Sequence, residues 1–175
     1  MKSDMSKFVP MGKSVGIAAY VMLCALVAPQ AGAVDGTCWQ NYTNPSVKWS
    51  QHTYSWVNCI VARDGGVATI KAATKLEQDE TGLVLGGIDF TTVSTYLYGK
   101  GITLTGDAFL RGTKYLSGNA WRAPTPTIAV PLSGTGSNTI TKRGVAEITI
   151  CSPFADIGAL DVPEGALVMT NAPSS

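Results

Sequence analysis

Short runs of alternating apolar and polar residues recur along most of this chain. His52 to Ala62 carries Tyr54, Trp56 and Ile60, with Val57, Cys59 and Val61 on the other face. Val67 to Ala73 sets Val67, Thr69 and Lys71 against Ala68, Ile70 and Ala72. Three further runs, Gly82 to Asp89, Thr92 to Tyr98 and Lys100 to Thr105, are separated by Gly86-Gly87 and Gly99, which read as breaks or bulges. Thr127 to Leu132 points Ile128, Val130 and Leu132 inward, and Pro131 makes it an edge strand or a strand end. Gly144 to Cys151 is the cleanest: Ala146, Ile148 and Ile150 against Val145, Glu147, Thr149 and Cys151. A last run, Ala166 to Thr170, follows a Pro163-Glu164-Gly165 turn. A period of two is the signature of strands with one face buried. Asp64-Gly65-Gly66 predicts a hairpin joining the first two runs. The charge-rich piece Lys75 to Thr81 lacks an apolar stripe and runs into Gly82, which predicts a loop. The whole reads as all-β, with about eight to ten short strands and no convincing helix, the pattern of a sandwich or barrel. No period of about 20 to 50 residues repeats, which rules out solenoids and propellers.

Residues 1–33 break this pattern. Lys2, Lys7 and Lys13 precede an apolar run from Val15 to Val27, and Ala31-Gly32-Ala33 fits a signal-peptidase site. The run is short for a membrane span, so a cleaved signal peptide is expected over 1–33, with an N-terminal anchor as the alternative. That leaves a single domain over 34–175, long enough to bury a core without a metal. Outside the leader, ten basic and eleven acidic residues nearly balance, so nucleic-acid binding has no electrostatic basis. Three cysteines remain, Cys38, Cys59 and Cys151. In an exported chain Cys38–Cys59 is the first candidate disulfide, with Cys59–Cys151 as the competitor.

Motifs for catalysis are missing from the sequence. His52 is the one histidine, no Cys-x-x-Cys or Gly-x-Ser-x-Gly occurs, and no carboxylate pair is singled out. No metal site, cofactor or enzymatic activity is expected. Binding has more to support it: four tryptophans, three of them at 39, 49 and 56, stand in a weakly charged chain. The stretch Gly101 to Trp121 brings together Asp107, Arg111, Asn119 and Trp121. A carboxylate, a fork donor, an amide and a flat apolar plate suit a sugar, which offers hydroxyls and an apolar face. Plainer roles fit the same residues: Asp107 as a turn former, Arg111 as its partner across the turn, Trp121 as a cover over one end of a sandwich.

The leader, a cysteine soon after it, and short Thr/Gly-rich strands resemble subunits of chaperone–usher fimbriae. Only Val34-Asp35-Gly36-Thr37 precedes Cys38, where an ordinary pilin carries a donor strand, and in this the chain is similar to tip adhesins. The run Gly106-Asp107, Arg111-Gly112-Thr113, Ser117-Gly118-Asn119-Ala120-Trp121 resembles a stretch of GlcNAc-binding tip-adhesin lectin domains. The resemblance implies an Ig-like β-sandwich with an early disulfide, and a sugar-site role for Asp107. It implies pilus subunits and a periplasmic chaperone as partners, and export through the periplasm to the bacterial surface. An exported adhesin-type subunit that binds a host glycan or a neighbouring subunit is the leading expectation. A purely structural subunit assembled by strand exchange is the second, and a small periplasmic β-barrel enzyme or inhibitor the third.

Overall fold

The computed structural model describes residues 32–39, 47–51, 55–71, 75–92 and 94–170. The predicted leader lies outside them except for its last two positions, as do His52 and Tyr54. Among the described residues sixteen strands follow one another, and they fall naturally into successive turns of one coil. β1 (Gly36–Cys38) and β2 (Val47–Lys48) make the first, β3 (Val67–Ile70) and β4 (Lys75–Gln78) the second, β5 (Leu83–Phe90) and β6 (Tyr96–Gly99) the third. The fourth holds β7 (Ile102–Gly112), a hairpin of β8 (Tyr115–Ser117) and β9 (Ala120–Arg122), and β10 (Thr127–Ile128). β11 (Leu132–Ser133), β12 (Thr139–Arg143) and β13 (Glu147–Ile150) form the fifth, and β14 (Phe154–Ala155), β15 (Ala159–Asp161) and β16 (Ala166–Met169) the last.

The all-β expectation holds. The expected Ig-like sandwich, an antiparallel arrangement, is not what the ladders show. Among the described residues only the hairpin β8–β9 and two isolated bridges are antiparallel, and every other pairing is parallel. Each strand lies beside its counterpart one turn away: Leu76 against Leu97, Leu97 against Ile128, Ile128 against Ile150. The middle of these three steps is the longest, because the hairpin β8–β9 lies within it. The architecture is therefore a parallel β-solenoid, the class that the sequence pattern had argued against. The shorter turns take roughly 20 residues each, at the low end of solenoid repeats. Alternation specifies a strand and its buried face, but carries no information on the direction of its partner.

Three ladders build the coil, the first of them from the third turn onward. The first stacks Leu83, Ile102, Leu132 and Phe154. The second stacks Ala68, Ile88, Leu110 and Lys142, and beside them Cys38, Ile70, Phe90 and Gly112. The third stacks Val47, Leu76, Leu97, Ile128, Ile150 and Met169. β5 and β7 belong to the first two ladders, because their register shifts between Leu85 and Gly87 and residues 105–108 are looped out of the pairing. Gly106 supplies the positive φ of 63° that this bulge needs, so the expected Gly106-Asp107 turn is a bulge inside one long strand. Most inward residues of the three stacks are wholly buried. Burying each Leu or Ile contributes roughly 1.5–3 kcal/mol.

Several local expectations are corrected. Lys75 to Gln78 is a strand, because Leu76 and Gln78 point inward and are buried while Lys75 faces water. The buried Gln78 amide is satisfied by bonding the backbone of Glu80 in both directions (2.9 and 2.6 Å) and the Gly101 carbonyl (3.0 Å). No hairpin forms at Asp64-Gly65-Gly66. β3 pairs in parallel with β1 and β5, and the segment before it turns through a 3-10 turn at Val57–Cys59 and bridges β1 instead. There it covers the first coil. Trp49 donates Nε1–H to Ala62 O, Trp56 donates to Trp49 O, and the two rings meet edge-on at 4.9 Å. The predicted disulfides are not formed. Cys38 is a free thiol inside the second ladder, where burial pushes its pKa up to about 12. Cys151 is free and exposed, receiving a hydrogen bond from the Thr170 hydroxyl.

At the other end Lys142 occupies an inward position and is fully buried. Its ammonium donates to the carbonyls of Gly144 and Glu164, and Gly165 leaves room for it, since a Cβ there would collide with Nζ. Burial pulls its pKa below the usual lysine value, with Glu164 pulling the other way. The unfolded chain holds a proton that the folded chain releases earlier, so this lysine makes stability rise with pH as the pH approaches 10.5 from below. Lys142→Met removes that contribution. The difference in melting temperature, variant minus parent, should fall steadily over this window; parallel curves would show that the lysine is not buried in solution.

Candidate functional site

The outward positions of the second ladder bring the most chemistry together. Register places Thr37, Thr69, Asp89, Arg111 and Arg143 in one row across successive strands. The neighbouring row holds Val67, Gly87, Phe109, Thr141 and Asp161. Arg111 Nη2 bonds Asp89 Oδ2 at 2.6 Å, and the Thr113 hydroxyl reaches Oδ1 at 3.4 Å. Asp89 is buried although its row faces outward, while Arg111 is partly open to water. The Asp89 hydrogen bond, with its charge, drives the Arg111 pKa further up, so the guanidinium is a fixed cation.

Phe109 lies on Gly87: a Cβ at that glycine would sit 2.8–2.9 Å from three ring carbons. The guanidinium carbons of Arg111 and Arg143 lie 5.4 and 5.1 Å from the ring centre. Cation–π attraction of this kind is worth roughly 0.5–1 kcal/mol at exposed sites. The result is a nearly flat patch with two arginines gathered over one ring and one of them anchored by a buried carboxylate.

The four sequence candidates are not brought into one grip. Arg111 belongs to the patch, but its partner is Asp89 and not Asp107. Asp107 lies exposed in the bulge, four positions before Arg111 and outside the pairing that carries the patch. Asn119 sits in the turn of the β8–β9 hairpin, and Trp121 on β9. Trp121 is 70% exposed and stands directly opposite Leu116, itself 60% exposed, so it does not cover an end of the core. Asp89, Phe109 and Arg143 were missed. Asp89 and Arg143 become neighbours of Arg111 only through the register of the coil, which joins residues from three separate turns.

No family model, curated protein or solved structure matches the chain. What the site can do is therefore read from its geometry. Among the described residues no helix is long and apolar enough to cross a membrane.

The two partners of the ion pair differ in burial, and their loss should differ accordingly. Arg111→Met strands a buried carboxylate and should cost roughly 3 kcal/mol. Asp89→Asn leaves a half-exposed guanidinium that water can solvate, and should cost about 1 kcal/mol. Urea unfolding of both variants checks the order; equal losses would mean that Asp89 is hydrated in solution.

Proposed function

We propose that the protein is an exported bacterial adhesion protein that binds a glycan without transforming it. The binding surface is the outward patch of Asp89, Phe109, Arg111 and Arg143. One observation carries this reading: a fork donor held in place by a buried carboxylate beside an aromatic ring, on a rigid sheet face. Such an arrangement loses little freedom on binding, and a pre-oriented guanidinium gives hydroxyl or acid oxygens two parallel hydrogen bonds. Export rests on the leader pattern of residues 1–33. A fimbrial setting, with pilus subunits and a periplasmic chaperone as partners, is the wider proposal. Strand exchange has less behind it, because the ladders are parallel and the first coil is already bridged by its own chain. A glycan array with the mature chain tests the reading. Arg111→Lys keeps the charge but loses the fork, and should weaken binding at least about tenfold. Asp107→Ala and Asn119→Ala should leave it unchanged. Loss through Asp107 or Asn119, with the patch variants unaffected, would move the site to the hairpin side of the fourth coil.

A second reading, contact with a neighbouring subunit, is favoured by the exposed cross-strand pair Leu116–Trp121. An aromatic and an aliphatic side chain on a projecting hairpin are the kind of anchor that protein partners bury. Trp121→Ala should shift stability by no more than about 0.5 kcal/mol, while reducing incorporation of the chain into surface fibres. Full incorporation would remove the hairpin from the interface.

A further inference from the structure

We infer that the glycan taken by this patch is acidic, its recognised group a carboxylate or sulfate held between Arg111 and Arg143. This rests on the glycan reading above and narrows it. Arg111 and Arg143 are register partners on adjoining parallel strands, so their backbones lie about 4.8 Å apart. Like charges directly opposite one another destabilise a sheet. Asp89, on the far side of Arg111, compensates that residue alone. No ion pair is made by Arg143 among the described residues. Asp161 belongs to the neighbouring row, one strand beyond Thr141, and is not joined to Arg143.

The arginines do not splay apart into water, as two free cations would. Both stay over the ring of Phe109, at 5.4 and 5.1 Å, and Phe109 in turn is seated on bare backbone at Gly87. The ring thus gathers two positive charges, while among the described residues one carboxylate, Asp89, pairs with them. An anion between the guanidinium groups would complete the row Asp89, Arg111, Arg143 as an alternation of sign. Planar fork donors favour carboxylate and sulfate oxygens over a point charge's less directional contact. Thr141, between Phe109 and Asp161 in the next row, offers a hydroxyl to the sugar ring that carries the acid group.

The mature chain is passed over immobilised polygalacturonate, heparin, dextran and double-stranded DNA at low and moderate salt. Polygalacturonate, heparin or both should retain the protein, less strongly as salt rises, and dextran should not. Arg143→Gln should weaken retention at least about tenfold. The charge-matched control Lys75→Gln, on the third ladder, should leave it unaltered. Retention on polygalacturonate alone assigns a carboxylate, and on heparin alone a sulfate. Retention on dextran as strong as on the acidic polymers overturns this inference but keeps the glycan reading. Equal retention on DNA, or an unchanged Arg143→Gln, also overturns it, since the patch is then a general polyanion surface or not the site. Retention on no glycan in this set or on the array ends both readings.

Discussion

Every inward side chain in this protein must fit the residue directly above it and the residue directly below. That is the constraint of parallel stacking, and the rest of the structure follows from it. Leu76, Leu97, Ile128 and Ile150 satisfy it with residues of similar size and shape. Where two columns cannot both be filled, glycine takes up the difference. Gly112 continues the column of Ile70 and Phe90, and a side chain there would run into Ala146. Since each coil touches only its neighbours, stability is a sum of nearest-neighbour contacts, and the two ends need separate solutions. One end is covered by the 55–63 segment with its Trp49–Trp56 pair. Near the other, a buried lysine ties Gly144 to Glu164 across the last turn.

The same constraint builds the outward patch. Rows on the outside of a parallel ladder are straight and evenly spaced, so residues far apart in sequence come to lie side by side. Asp89, Arg111 and Arg143 come from three different turns, yet occupy one row. A carboxylate can be buried there only because the next strand supplies a guanidinium at 2.6 Å. The cost of desolvating Asp89 is offset locally, and Arg111 loses its freedom to swing. Rigidity of the sheet passes into the orientation of the donor.

How far this was legible in the sequence depends on what alternation encodes. It marked the strands well where both faces differ, as in Glu147–Ile150, with Ile148 and Ile150 buried and Glu147 exposed. It also placed Ile128, Val130 and Leu132 inside, although the chain turns between the first and last of them to change ladders. It failed at Lys75–Gln78, where a buried glutamine reads as polar and only its backbone bonds explain its position. The repeat itself was hidden. Insertions such as the hairpin stretch some turns and not others, so self-similarity at a fixed period is lost. Arg111 was visible as a candidate through its company in Gly101–Trp121, but its true partner lies one coil earlier. Partner choice in a solenoid is a property of register, and register was the quantity that composition and local pattern left open.

The insertion that obscured the repeat also has a position. The β8–β9 hairpin leaves the coil just after Gly112, at the end of the strand that carries Phe109 and Arg111. A solenoid can lengthen any turn without disturbing the stack, because connections lie outside the ladders. Here the longest excursion within the fully described part of the coil departs beside the charged patch and presents Leu116 and Trp121 to water. Those side chains add nothing to the core, and an exposed apolar pair carries a solubility cost. The hairpin has no role in holding the coil together, and it leaves from the turn that supplies Phe109 and Arg111 to the patch. If chance alone had set the hairpin, any of the other turns would have served the fold as well. Its placement makes the fourth coil the part of the molecule whose residues are explained least by folding and most by contact with something else.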